Sequence, residues 1–299
     1  MRLVAATPRS DPVPDIIRAA LETVSQDDLR AAVERIAVPR VYGTHQNEAA
    51  RRTVMELMAD SLGREGGRPE IGVDDVGNVI VGDPRRCVIL LGAHYDAVPG
   101  TPGADDNASA VAVLLAAARA VGPREEVCYV AFNGEERGFV GSQALVNGLG
   151  RHRLEQVHVL EMVGFTTKAP NSQRNPVPMV PTPTVGDFLG LVGTSGSGHL
   201  LDHVLACAGH AAVPVFGLYL PDVPLEVMRA KVPHVFRSDH APFWSQGIPA
   251  LMWTDTAEFR NPNYHQPTDT PDTLDYGFMA EVARLVVHSV LSFIGGSGG

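Results

Sequence analysis

His94 and Asp96 follow an apolar run at residues 87–92, and Glu135 and Glu136 stand in the same relation to a second run at residues 127–132. Between them, Asp105, Asp106 and Asn107 precede an Ala- and Leu-rich stretch at residues 108–121. Imidazole and carboxylate groups gathered without a thiol are donors for a metal ion, so residues 87–136 read as a metal site. Further donors lie downstream. Glu161 follows a third apolar run, residues 157–160, and His265 sits in a loop rich in Pro and Asp.

These groups are useful together only if the fold converges them. Short, continuously apolar runs suit strands buried on both faces of a parallel sheet. Residues 108–121 are too long for a strand and begin after good N-terminal caps, which predicts a crossover helix. In a right-handed strand, helix, strand unit both strand ends reach one carboxyl edge, where open α/β sheets place their ligands. Glu161 falls on the same edge.

The remaining segments are expected to support that unit. Residues 13–37 and 46–63 have helical apolar spacing and predict outer helices. A Gly-rich turn between residues 64 and 68 leads to a hairpin of residues 71–76 and 78–81 at the sheet edge. Residues 143–149 predict a helix. The Pro-rich stretch at residues 166–186 excludes regular structure and is expected to form a wall or lid over the site. GTSGSG, residues 193–198, lacks a phosphate-loop Lys, follows no obvious strand and reads as an ordinary loop. Then come a helix at 199–209, a strand at 213–220, a helix beginning near Asp239, a strand at 249–254, an amphipathic helix at 276–294 and a flexible tail at 295–299. Neither a repeat nor a linker divides residues 1–299, so one domain is expected.

Composition narrows the class. With 24 Lys and Arg against 34 Asp and Glu, the formal net charge is −10 and the charges are interspersed, which argues against a nucleic-acid partner. No uncharged apolar run approaches the roughly 20 residues that span a bilayer, and the N-terminal residues lack a hydrophobic signal. A soluble, cytoplasmic protein without a membrane partner is therefore expected. Cys87, Cys128 and Cys207 are an odd set with two members in predicted buried strands; they read as small core residues rather than a disulfide framework.

Taken in order, His94 with Asp96, GADDNAS from Gly103, the Glu135 and Glu136 pair, EMVG from Glu161, SDHAPF from Ser238 and YHQPTDTPDTLDY from Tyr264 resemble the M28 family of zinc peptidases. The resemblance extends over about residues 40–285. It implies a single α/β domain built on a mixed, mostly parallel sheet with helices on both faces. It also implies two zinc ions, with cobalt or manganese as substitutes. His94, Asp106 and Glu161 would hold one ion; Asp106, Glu136 and His265 would hold the other, with Asp106 as the bridge. Asp105 is chemically equal to its neighbour, and the GADD motif favours Asp106. Many relatives carry Asp where this chain has Glu161.

The same resemblance assigns Asp96 to the second N–H of His94, Glu135 to general acid-base work, and a cis peptide to the bond between Asp106 and Asn107. His240, within SDHAPF, is expected beside the substrate. If the Glu135 segment is extended, the two adjacent acids project to opposite sides and can take separate roles. The other histidines, His45, His152, His158, His199, His203, His210, His234 and His288, read as surface or core residues. The expected activity is that of a zinc-dependent aminopeptidase acting on peptides or aminoacyl amides. The alternatives are a single-zinc glutaminyl cyclase, a carboxypeptidase in which Arg237 or Arg260 grips the substrate carboxylate, and a non-catalytic binding domain. A serine hydrolase is disfavoured because no Gly-x-Ser-x-Gly elbow joins a predicted strand to a helix.

Overall fold

The uniformly apolar runs of the sequence become the middle of a nine-stranded sheet in the computed structural model, which describes residues 1–63, 70–152 and 154–296. The chain begins with β1 (Arg2–Ala5), α1 (Asp15–Glu22), α2 (Gln26–Ile36), α3 (His45–Leu62), β2 (Ile71–Val73), β3 (Val79–Val81) and β4 (Ile89–His94). It continues through α4 (Ala110–Val121), β5 (Val127–Phe132), α5 (Val140–Gly148), β6 (Gln156–Glu161), β7 (Leu189–Gly193), α6 (Gly198–Ala208) and β8 (Val215–Tyr219). The last elements are α7 (Leu225–Lys231), α8 (His240–Ser245), β9 (Ala250–Thr254) and α9 (Tyr276–Gly296).

Spatial order in the sheet is β1-β8-β7-β9-β6-β4-β5-β3-β2. The central strands β9, β6, β4 and β5 are mutually parallel, and every residue of all four is buried. Both flanks meet this centre antiparallel, β7 against β9 and β3 against β5. Thus the sheet is mixed, as expected, and its parallel part is the part that carries the site. Helices α2, α3, α4, α6 and α9 cover one face, while α5, α7 and α8 cover the other.

Local sequence explains several boundaries. Ser25 and Thr44 accept hydrogen bonds from the main-chain N–H groups of Asp28 and Asn47, capping α2 and α3. Helix α4 is buried almost all round because it is held between the sheet and the helices α2, α3 and α9. Helix α9 has the length and hydropathy of a membrane-crossing helix, although Glu281 and Arg284 interrupt its apolar run. Its apolar side packs on α1, α2, α4 and α6, which accounts for that composition within the fold.

Other expectations need correction. Strands β1 and β7 and helix α7 were not anticipated, and the GTSGSG segment does follow a strand, since its first residue ends β7. Gly190 and Gly193 disguise β7 by breaking its apolar pattern. Residues 295 and 296 continue α9 instead of forming a tail, whereas the Gly-rich turn at 64–68 and the tail residues 297–299 lie outside the described residues.

The cysteines also depart from expectation. Cys87, just before β4, forms a disulfide with Cys128 on β5, leaving Cys207 as the free, buried cysteine. Parallel pairing of β4 with β5 brings the two Cα atoms to 6.0 Å, inside the range a disulfide spans. Their separation of 41 residues hides this proximity in the sequence. Closing a loop of that length should contribute about 2 to 4 kcal/mol to stability. Thiol titration of unreduced, denatured protein is expected to find one thiol, and the Cys87→Ala, Cys128→Ala double variant should lose stability of that size in urea; three reactive thiols before reduction would contradict the pairing.

Candidate active site

The parallel centre of the sheet delivers the candidate donors to one edge. His94 is the last residue of β4 and lies opposite Phe132, the last of β5; Glu161 is the last of β6. Gly134 then takes a left-handed conformation at φ +78°, turning the chain after β5 into a short 3-10 turn, Glu135–Arg137. Glu135 and Glu136 therefore sit side by side on a helical turn and not on the extended backbone expected above. Asp106 lies in a loose turn, Ala104–Ser109, that leads into α4 and contains a cis peptide between Asp106 and Asn107. His265 arrives from the loop after β9, itself with φ +57°.

Asp106 stands between two imidazoles. Its Oδ1 lies 3.4 Å from His94 Nε2, and its Oδ2 lies 3.0 Å from His265 Nε2. Glu161 Oε2 is 3.4 Å from His94 Nε2, and Glu136 Oε1 is 3.6 Å from His265 Nε2. Donor atoms of His94, Asp106 and Glu161 lie within 4.8 Å of one another, and so do those of Asp106, Glu136 and His265. Glu135 Oε2 approaches His94 Nε2 at 4.0 Å without belonging to either trio.

The chemistry of these donors fits metal ions. Asp106 Oδ1 and Glu136 Oε1 are buried with no hydrogen-bond partner, which is costly for carboxylate oxygens unless a cation takes them. Proton affinities agree with that chemistry. Burial opposes charge on His94, yet Glu135 and Glu161 hold its proton well above the usual range; His265, drawn by Asp106 and Glu136, is raised to about 10 despite burial. Burial pushes the carboxyl of Glu135 well up and raises that of Glu136. Asp106 is lowered even against burial, by the imidazoles of His265 and His94 beside it. A cation bound by these groups would lower those proton affinities in turn.

A shell of hydrogen bonds holds the donors in place. Asp96 Oδ1 and Oδ2 accept the main-chain N–H groups of Glu135 at 3.1 Å and Glu136 at 3.3 Å. His94 Nδ1 lies 3.2 Å from the Asp96 carbonyl and 3.5 Å from its carboxylate, so Asp96 serves the glutamate turn more closely than the imidazole. Three partners escaped sequence reasoning. Asn107 donates to the Leu160 carbonyl and accepts from Met162 N–H, bracketing Glu161. Asp269 accepts the N–H groups of Asp105 and Asp106, and Ser238 donates to Glu161 Oε2 at 2.7 Å. Ser238 and Asp269 both fall inside the motifs quoted above; that position was the available signal. Asp105 is occupied elsewhere, accepting from Gly164 N–H and Asn261 Nδ2.

His240 is not among the residues brought together. It begins α8, and its ring turns into the core, donating from Nε2 to the Val235 carbonyl at 2.9 Å and packing on Trp244. Of the SDHAPF motif it is Ser238 that reaches the donor cluster. The two arginines considered for a substrate carboxylate are also engaged: Arg260 is 6% exposed and donates to Gln173 Oε1 and the Phe188 carbonyl, while Arg237 donates to Glu258 Oε1 and Tyr264 Oη. Tyr264 stacks on His265 with ring centroids 3.8 Å apart.

Beside Glu161 opens an apolar cavity of about 100 Å³. Val192, Leu218 and Met252 of the sheet form its floor, and Val177, Pro183 and Phe259 contribute to its walls. The Pro-rich segment is thus a wall, braced by hydrogen bonds from Gln173 N–H to the Thr184 carbonyl and from Arg260 to Gln173.

Comparison with known proteins adds the lineage. A sequence profile described as peptidase family M28 matches residues 76–182 and 220–290. The chain belongs to peptidase family M28. It is 36% identical over 218 residues to the uncharacterized protein YfbL of Escherichia coli, an alignment covering 67% of this chain and 65% of YfbL. A probable leucine aminopeptidase of Arthroderma benhamiae is 24% identical over 298 residues, covering 91% of this chain and 74% of that protein. Among solved structures, LapB of Legionella pneumophila superposes with a TM-score of 0.71 at 18% identity, over 96% of this chain and 78% of LapB. A glutaminyl cyclase of Porphyromonas gingivalis superposes with a TM-score of 0.61 at 19% identity, over 91% of this chain and 99% of the cyclase. The M28 fold is thus shared with a cyclase, and the fold by itself does not choose between the two chemistries.

The placement of His240 has a measurable signature. Burial lowers its pKa to about 4, so the ring is neutral near neutral pH and contributes stability above about pH 6.5 that is lost as pH falls through about 4. An NMR titration is expected to find its midpoint near 4; a midpoint raised above about 6.5 would place the ring among the site carboxylates.

Proposed function

We propose that this M28 chain is a dinuclear zinc aminopeptidase. The observation that carries the reading is the position of Asp106, whose two carboxylate oxygens each face the imidazole of a separate three-residue donor group. His94, Asp106 and Glu161 would hold one ion, and Asp106, Glu136 and His265 the other. When bound, a zinc pair supplies a water that ionises near neutral pH and polarises the scissile carbonyl. Neutral imidazole with carboxylate suits zinc and also admits cobalt or manganese.

Glu135 is left free of both groups and is buried beside them, which suits a carboxylate that takes a proton from the attacking water and returns it to the leaving amine. Burial raises its proton affinity, as suits a carboxyl group that holds a proton in transit. Asp96 contributes by fixing the turn on which Glu135 and Glu136 sit, through their main-chain N–H groups. Ser238 and Asn107 orient Glu161 from its two sides.

The choice of substrate end rests on charge. The carboxylates of Glu135, Glu136, Glu161 and Asp106 offset the charge of two zinc ions, so the site offers no net positive charge to draw in a terminal carboxylate. Arg237 and Arg260, the side chains a carboxypeptidase would use, are committed to other partners. The apolar cavity beside Glu161 suits the side chain of an apolar N-terminal residue, a size and character compatible with leucine. The buried disulfide supports folding in an oxidising compartment rather than the cytoplasm expected from the sequence. A reduced Cys87 and Cys128 pair in protein taken from its natural source would remove that support.

Two experiments test the reading. Purified protein is expected to bind two zinc ions per chain, and Glu135→Gln should retain them while lowering kcat by about 10² to 10⁴. One ion at saturation, with cyclisation of N-terminal glutamine, would instead identify a cyclase. Secondly, leucyl p-nitroanilide should be cleaved and its N-acetylated form left intact, with aspartyl p-nitroanilide a poorer substrate. Equal cleavage of the blocked compound would overturn the aminopeptidase assignment.

A further inference from the structure

Arg40 precedes α3 and lies at 0% exposure, among the largest fully buried side chains. All its hydrogen-bond acceptors are main-chain carbonyls. Nε donates to Tyr95 at 2.5 Å, Nη1 to Val38 at 3.1 Å and also to Pro102, and Nη2 to Gly103 at 2.7 Å with a longer contact to Asp106 at 3.4 Å. Tyr95 lies between His94 and Asp96; Pro102 and Gly103 lead into the turn that presents Asp106. One planar group therefore joins the end of β4 to the loop bearing the shared carboxylate.

The surrounding backbone is shaped around that group. Gly103 has φ +62°, and a Cβ there would lie 2.3 Å from the Asp106 carbonyl oxygen and 3.0 Å from Arg40 Nη2. Beyond the guanidinium, the Arg40 carbonyl accepts from Asn47 Nδ2, which also donates to Asn133 Oδ1 just ahead of the Glu135 turn. The three segments bearing His94, Asp106 and Glu135 are thereby linked through one residue and its immediate partner. Burial lowers the guanidinium to about 10, which leaves it charged near neutral pH, and the carboxyl groups that favour its charge are those of Asp106, Asp96, Asp269 and Glu136.

We propose that Arg40 is a positioning residue for the metal centre: its guanidinium fixes the distance between the His94 strand end and the Asp106 turn, and so sets how tightly the two ions are held together. This rests on the dinuclear reading above. Lysine cannot replace it, because one ammonium on a flexible stem cannot meet carbonyls that lie around a rigid fork. Nor is the charge alone sufficient, since every acceptor is a directional main-chain oxygen.

The test uses full-length protein stripped of metal and reloaded with cobalt, read by calorimetry and by the visible spectrum. Wild type is expected to take up two ions. Arg40→Lys, checked for a cooperative melt without metal, should bind one of them about 10- to 100-fold more weakly, the usual loss when a residue supporting metal ligands is removed. Its cobalt spectrum should change, and kcat should fall with little change in KM. Added guanidinium should restore the second ion to Arg40→Ala. In metal-free wild type, the Arg40 Nε–H should exchange slowly with solvent, a measurement that stands even if a variant fails to fold. Two ions bound by Arg40→Lys with wild-type affinity and spectrum, or rapid exchange of that N–H, would overturn the role of Arg40 and leave the dinuclear reading intact. Uptake of a single ion by wild type would remove the dinuclear reading itself, and this inference with it.

Discussion

Carboxylates do not share a buried space unless something positive holds them there. Two like charges about 4 Å apart repel by roughly 4 kcal/mol even where the effective dielectric constant is about 20. Here Asp106, Glu135, Glu136 and Glu161 crowd two imidazoles at the end of the central strands. The sharing of Asp106 between those imidazoles is the interaction on which the other placements depend. Around it the chain invests in directional bonds: Asp269 grips the N–H groups of Asp105 and Asp106, Asp96 grips those of the glutamate turn, and Asn107 locks the residues flanking Glu161.

The sheet supplies the rigid frame for that arrangement. Parallel strands end together, so β4, β5 and β6 deliver His94, the glutamate turn and Glu161 to one edge from distant parts of the sequence. The antiparallel flank does something different. Strands β7 and β8 carry no donor; they provide the apolar floor next to Glu161 on which the Pro-rich segment and Phe259 build walls. Chemistry thus resides in the parallel centre, and a shape suited to selectivity in the flank. A substitution such as Val192 to a larger residue would alter the second without touching the first.

What could be read from the sequence was whatever depends on local apolar pattern and on acids and histidines that stand at strand ends or within motifs. The run at 127–132 coincides with β5, and those at 157–160 and 249–254 fall within one residue of β6 and β9 at either end. The geometry of His94, Asp106, Glu136, Glu161 and His265 follows the same logic, because each stands at the end of an element or in a motif. What stayed hidden acts through the main chain or across long separations. Arg40 and Asp269 bind carbonyls and N–H groups, which place no demand on a neighbouring side chain, and Cys87 meets Cys128 only once β4 and β5 pair. His240 failed as a reading for a geometric reason: successive side chains on a helical turn point about 100° apart, so only some members of SDHAPF can face Glu161.

The two donor groups differ in how late in the chain they become complete. His94, Asp106 and Glu161 all lie in the first 161 residues, whereas the second group waits for His265, which follows β9 and lies 104 residues beyond Glu161. During synthesis on the ribosome, a nascent chain therefore owns one full donor group long before it owns the other. The paired arrangement becomes available only after β7, β8 and β9 have emerged and closed the sheet. A half-made chain therefore carries His94, Asp106 and Glu161 but still lacks the imidazole that completes the second group.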